Sequence, residues 1–230
     1  MTSTPTSSSE LAPVPAGDAD LVERFDRGER WLHWAVAGPL LVAMLTGLSL
    51  ILPGAAKFFG SREALRVAHW VSGFGSIVVP ALVLLTADRR RIAADVREVD
   101  LWSADDRTWL RTWLSRRTGL AGELPPAGRF NAGQKANAVI SAAALVWLGL
   151  TGVVLFPPLH APFWLLENSR TLHNLTWFLL LPVVAGHVYL SAVYRPTRPG
   201  LRGMISGLVP RAWLREHHPL DTISAPPPRG

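Results

Sequence analysis

Four stretches of this 230-residue chain are apolar for long enough to cross a lipid bilayer, at roughly 34–56, 67–87, 136–157 and 171–194. Spanning a bilayer takes about 20 mostly apolar residues. No ionisable side chain other than histidine lies in the central part of any of these runs. A helix buried in a soluble bundle keeps one polar face, and none of the four has such a face. The pattern predicts an all-α integral membrane protein, a four-transmembrane-helix bundle.

The charge distribution orients that bundle. The net charge of +6 does not mark a nucleic-acid partner, because the cations follow the connections between the spans. Of the Lys and Arg residues, the N-terminal tail holds three, the 88–135 region ten and the C-terminal tail six. The short connections 57–66 and 158–170 hold only three and one. Cytoplasmic loops collect Lys and Arg, so both termini and the long 88–133 loop are expected in the cytoplasm. The location expected is the inner (cytoplasmic) membrane. Residues 1–22, rich in Ser, Thr, Pro and Ala, and the Pro-rich 220–230 read as disordered tails flanking a membrane domain of residues 23–219.

The chain has no cysteine. That excludes disulfides, thiolate-held iron–sulfur clusters and covalently attached c-type haem. Any redox metal has to be held by nitrogen or oxygen.

Histidine supplies the nitrogen. His33, His69, His173 and His187 lie in or at the ends of the apolar runs. His173 and His187 are fourteen residues apart on one span, which returns a helix to within about 40° of its starting direction about 21 Å further along. One helix then offers imidazoles to the same side at two depths. With the N-terminus inside, His33 and His187 fall at the inner level, and His69 and His173 at the outer. Intramembrane ionisable groups are costly and usually functional. Two imidazoles per level leave a plane open between them, which suits axial ligation of two b-type haems better than zinc, a metal that wants three or four protein ligands.

The two halves of the chain are faintly alike. Leu45-Thr46-Gly47-Leu48 is echoed 105 positions later by Leu150-Thr151-Gly152-Val153, and Arg66-Val67-Ala68-His69 is echoed 104 later by Arg170-Thr171-Leu172-His173. A duplicated helical hairpin is the simplest source. The inner histidines break the symmetry, since His33 answers to Ala138 and His187 to Val83. Gly47, fourteen residues after His33, and Gly73, four after His69, leave space for a flat macrocycle or for close helix packing. Arg66 and Arg170, each three residues before an outer histidine, suit haem propionates or lipid headgroups equally. In the 88–133 loop, Trp109, Leu110, Trp113 and Leu114 share a stripe, with Arg107, Arg111 and Arg116 on the other face. That stripe fits an anionic leaflet, or a face packed on the bundle or a partner.

These residues together resemble the di-haem cytochrome b, or gamma, subunit of respiratory formate dehydrogenases. The likeness runs from Arg24 to Pro219. It is carried by Arg24-Phe25-Asp26-Arg27 leading to His33-Trp34, by Gly128-Arg129-Phe130-Asn131-Ala132-Gly133-Gln134-Lys135, by the His173/His187 spacing, and by Gly200–Gly207 with His217-His218-Pro219. The resemblance implies that His33 and His187 hold an inner haem b, and His69 and His173 an outer one. It implies a menaquinone or ubiquinone beside the inner haem, near Asn131, Gly133 and Gln134. At a helix start, Gln134 and Lys135 also read as capping and interfacial residues. The implied partners are an iron–sulfur beta subunit and a catalytic alpha subunit carrying molybdenum or tungsten on a bis-molybdopterin. The chain would then be an electron conduit, doing no chemistry on formate itself. The same fold serves as the anchor of other molybdopterin oxidoreductases and of hydrogenases, or as a free-standing quinone-linked cytochrome b.

Overall fold

The computed structural model describes residues 20–52, 54–55, 57, 60–119 and 122–224. Four long helices dominate: α1 (Arg27–Ile51), α2 (Arg62–Thr86), α5 (Ala132–Val154) and α6 (Phe163–Val188). All four are long and apolar enough to cross a membrane. The helix α6 runs on through a π-turn over Tyr189–Val193. The protein is a multi-pass helical membrane protein.

Each of the four helices begins earlier than its apolar run, and in α1, α2 and α5 the start is set by a polar cap. The Asp26 carboxylate accepts from the Glu29 backbone N–H at 2.8 Å, while Glu29 reaches back to the Asp26 N–H at 2.6 Å. Asn131 and Gln134 make the same reciprocal box at the start of α5, and Ser61 caps α2. Each cap satisfies backbone donors that no helical carbonyl can reach. At its other end α1 stops at Leu52, extended at ψ 124°, the residue before Pro53, where a helical conformation is disfavoured.

The helices form two antiparallel hairpins, α1 with α2 and α5 with α6, that meet where Ile77 fits against Gly149. The packing is turned inside out relative to a soluble protein. Val71, Leu45 and Leu179 are exposed, while Thr46, Ser49, Ser72, Ser76 and Thr151 are buried. Those hydroxyls donate back into their own helix. Thr46 donates to the Val42 carbonyl at 2.7 Å, Ser72 to Ala68 at 2.7 Å and Thr151 to Trp147 at 2.8 Å. These five hydroxyl protons are thereby satisfied in a medium that cannot solvate them.

The remaining elements gather at the end where α1 and α5 start and α2 and α6 finish. The 88–133 connection folds into α3 (Arg89–Asp100) and α4 (Ala104–Arg117). After α6 come α7 (Arg198–Ser206) and α8 (Arg211–His217). Between these two, β2 (Leu208–Pro210) pairs antiparallel with β1 (Leu21–Glu23). We call this assembly the cap. It moves the expected domain edges. Residues 1–19 and 225–230 lie outside the described residues, but Leu21 and Val22 are strand, and the Leu220 N–H donates to the Ala127 carbonyl at 3.1 Å. Partners so distant in sequence leave no trace in local composition.

One glycine closes the cap. Gly207 ends α7 at φ +88°, and a Cβ there would lie 2.7 Å from the Phe25 carbonyl oxygen. Its own carbonyl accepts from the N–H groups of Arg24 and Phe25, at 2.8 and 3.3 Å. Any other residue would meet both a strained backbone and a backbone clash.

Candidate functional site

The structure brings the four membrane histidines together in two pairs. His69 of α2 and His173 of α6 have ring centroids 6.1 Å apart, with planes crossing at 73°. His33 of α1 and His187 of α6 are also 6.1 Å apart, at 54°. These are the pairs the depth argument requires. Helix α6 gives one imidazole to each level, and the other hairpin gives the second.

The outer pair is held by the duplicated threonines. Because the Thr46 hydroxyl proton goes to the Val42 carbonyl, its oxygen can only accept from His69 Nδ1, at 3.2 Å. The Ala43 carbonyl lies 3.0 Å from the same nitrogen and can likewise only accept. His173 Nδ1 lies 2.8 Å from Thr151 Oγ1, whose proton is given to the Trp147 carbonyl. Both outer imidazoles therefore carry their proton on Nδ1 and present a bare Nε2 lone pair. Gly47 and Gly152, next to the two threonines, let the rings approach. A Cβ would lie 3.2 Å from His69 Cε1 in one case and 3.5 Å from His173 Cε1 in the other. Among the described residues, His33 and His187 have no comparable hydrogen bond.

A scan for known families places residues 24–207 in one described as prokaryotic cytochrome b561. The match covers most of the chain. This protein belongs to the prokaryotic cytochrome b561 family. Curated relatives include the formate dehydrogenase cytochrome b556(fdo) subunit of Escherichia coli K12, 26% identical over 206 residues, 87% of this chain and 91% of that protein. The nitrate-inducible cytochrome b556(Fdn) subunit of the same strain is 25% identical, covering 83% of this chain and 85% of its own. The formate dehydrogenase cytochrome b556 subunit of Haemophilus influenzae Rd is 22% identical, over 81% and 76%.

Membership of a cytochrome b561 family implies haem b, and the residues fit it. A metal–imidazole bond is about 2 Å and a ring centroid lies about 1 Å behind its nitrogen, so rings on opposite sides of one iron are about 6 Å apart. Both pairs have that spacing. Among the described residues, no group of three or more His, Cys, Asp or Glu could hold a metal with protein ligands alone. A cavity adjoins the outer pair, lined by His69, His173, Gly73, Gly149, Gly152 and Trp177. Trp177 is buried, and its indole N–H finds no partner among the described residues, so the cavity also offers a donor.

The other sequence-predicted residues are placed as follows. Asn131 and Gln134 are the α5 capping box, each amide oxygen accepting from the other residue's backbone N–H at 2.9 Å. Only their NH2 groups remain as side-chain donors. Gly133 faces Trp109, whose ring atoms would lie 3.2 Å from a Cβ. Trp109 therefore packs on the bundle and stacks with Trp113 at 6.4 Å, while Leu114 of the same stripe is exposed. Lys135 is buried and ties α4 to α5, donating to the Leu101 carbonyl at 3.0 Å and to Asp106 at 3.1 Å. Arg66 and Arg170 are exposed at the outer end, each paired with the glutamate three residues earlier, Glu63 and Glu167.

Sequence reasoning missed a charged cluster one turn from His33. Glu29 is buried and accepts from Arg129 Nη2 at 2.5 Å, and Arg129 Nε donates to Asp95 at 2.5 Å. Arg91 adds a contact to Glu29 at 3.3 Å. Beside this cluster, Arg24 is fully buried between the rings of Phe25 and Trp213, and donates to the Arg129 carbonyl at 2.7 Å. Burial lowers its pKa to about 10, against an opposing pull from Asp221. His218, also buried, donates from Nδ1 to the Gly128 carbonyl at 2.9 Å. Burial, and then the charge of Arg24, lowers its pKa to about 3, so it stays neutral. Arg24, Arg129 and His218 stood in the motifs that carry the family resemblance, but nothing in those motifs marked them as one cluster.

Proposed function

We infer that this chain is the membrane-anchoring electron-transfer subunit of a respiratory formate dehydrogenase, carrying electrons from an iron–sulfur subunit through two haems b to menaquinone or ubiquinone at the cytoplasmic face. The observation that carries this reading is the pair of cross-hairpin histidine couples at 6.1 Å, in a chain whose curated relatives are named formate dehydrogenase cytochrome subunits. Bound haem supplies a reversible one-electron couple at each level.

The chain's own residues do the rest. His33 with His187, and His69 with His173, would hold the haem irons at the inner and outer levels. The four helices surround both levels with apolar side chains and keep water away. At the inner end, Asn131 and Gln134 direct their remaining amide donors to a quinone carbonyl, beside the backbone of Gly133. Arg66 and Arg170 would exchange Glu63 and Glu167 for the outer propionates. The excess of Lys and Arg in the two tails and the 88–135 region over the two short connections, nineteen against four, supports termini in the cytoplasm of the inner membrane. The partners on the other side would be the iron–sulfur beta subunit and the molybdenum or tungsten alpha subunit.

Purification from the native membrane tests this reading. A b-type reduced-minus-oxidised spectrum with two haems per chain, co-purifying with formate oxidation, supports it. Co-purification with oxidation of hydrogen or a sulfur compound would move the chain to another enzyme of the same architecture. Quinone-linked turnover by the chain alone would make it free-standing.

A further inference from the structure

Resting on that reading, we propose that Thr46 and Thr151 are positioning residues that make the outer imidazoles stronger electron donors than the inner ones and so lower the potential of the outer haem.

The proton count at each nitrogen fixes the direction of every bond. Both hydroxyl protons are committed to helix carbonyls, Val42 and Trp147, so neither threonine can donate to an imidazole. Each accepts from Nδ1–H, at 3.2 Å from His69 and 2.8 Å from His173. For His69 the Ala43 carbonyl adds a second acceptor at 3.0 Å. An acceptor on Nδ1–H gives the ring partial imidazolate character and raises the basicity of Nε2. A more basic axial ligand stabilises the ferric over the ferrous ion, which lowers the potential.

The effect belongs to one level only. The threonines occupy equivalent places in the two hairpins, 105 residues apart, and their histidines are 104 apart. The same threonine-to-histidine contact thus recurs in both hairpins. The inner histidines have no counterpart in the repeat and no such acceptor among the described residues. A lowered outer potential makes transfer from outside to inside downhill, the direction needed by a chain that delivers electrons to quinone at the cap end. Fixing Nδ1 also sets the tautomer and turns each ring about its Cβ–Cγ bond, so the threonines position the ligand as well as polarise it.

The test is a spectroelectrochemical titration of the purified haem-loaded complex carrying Thr46→Val, Thr151→Val or both, with Thr→Ser at each position as the control. Valine keeps the shape and removes the acceptor, and serine restores it. The two haems are told apart by His69→Ala, which removes the outer one. At a fixed ambient potential the reduced-to-oxidised ratio of the outer haem is expected to rise several-fold in each valine variant, and most in the double variant. A tenfold rise corresponds to about 59 mV for a one-electron couple. The inner haem should not move, and the serine variants should match the unsubstituted protein. Unchanged ratios in both valine variants, or equal shifts of both haems, would overturn the proposal. If a valine variant loses its haem, the other variant and the low-spin electron paramagnetic resonance signal of the serine pair carry the same comparison. An unsubstituted complex with fewer than two haems would instead remove the reading beneath the proposal.

Discussion

The two ends of this bundle hold their histidine pairs in different ways. At the outer level, both imidazoles hydrogen-bond to threonines inside the helices, and that end carries the exposed ion pairs Glu63–Arg66 and Glu167–Arg170. At the inner level, His33 and His187 lack such acceptors among the described residues, but His33 sits one turn from Glu29 and its clamp of Arg129, Asp95 and Arg91. Around that clamp the cap joins both ends of the chain: Trp34 donates to the Met204 carbonyl at 3.0 Å and Arg30 to Ile205 at 2.7 Å. The outer level is a self-sufficient product of the repeat. The inner level departs from the repeat and is held by parts added outside it.

That contrast can be broken first at the ligands. His69→Ala or His173→Ala should remove only the outer haem, and His33→Ala or His187→Ala only the inner, halving the haem-to-protein ratio each time. Loss of both haems from any single variant would mean that the levels are not independent sites.

Next in size is the clamp. Arg129→Ala leaves Glu29 buried beside Asp95 without its main cation. Removing one partner of a buried pair costs about 3–5 kcal/mol, and with Arg129 partly exposed about 2–3 kcal/mol is expected. Thermal unfolding in detergent should show a clear fall in midpoint, with the inner haem lost before the outer. If both haems leave together, the clamp is not specific to the inner level.

Acid should find the same asymmetry through His218. Its folded pKa of about 3 lies below the ordinary value of 6.5, so below pH 6.5 the unfolded chain binds a proton that the folded chain does not. Stability is then intact above pH 6.5 and falls as pH drops toward 3, by at most about 1.4 kcal/mol per unit for one proton. Unfolding midpoints measured from pH 7.5 to 5 should decline, and His218→Gln should flatten that slope. An unchanged slope would place the acid sensitivity elsewhere.

A smaller effect belongs to Asn131→Ala, which removes the α5 cap at a cost of about 1 kcal/mol. The same change should cut quinone reduction far more than haem reduction by dithionite. Equal losses would assign Asn131 to the cap alone. Smallest of all is Arg66→Ala. An exposed pair with Glu63 contributes little to stability, so the readout is the outer haem's potential. An unmoved potential would rule out a propionate contact.

Much of this was legible in the residues. The four spans follow from apolar length, and the pairing of His33 with His187 and His69 with His173 follows from topology and the fourteen-residue spacing. The repeat in Leu-Thr-Gly was visible, but the role of Thr46 and Thr151 was not. A hydroxyl facing an imidazole depends on how α1 meets α2 and α5 meets α6, which neither span states alone. The apolar runs do not mark the starts of α1, α2 and α5, because the capping residues Asp26, Ser61 and Asn131 lie outside the apolar pattern. The cap was hidden for another reason: Arg24 meets Arg129, Leu21 meets Pro210, and His218 meets Gly128, contacts that no local window contains.

The most direct test of the account is the haem b content of the purified chain, measured per polypeptide beside the His69→Ala and His33→Ala variants. The account predicts two haems in the unsubstituted chain and one in each variant, with the remaining haem still low-spin. One haem in the unsubstituted chain, or two in either variant, would contradict it.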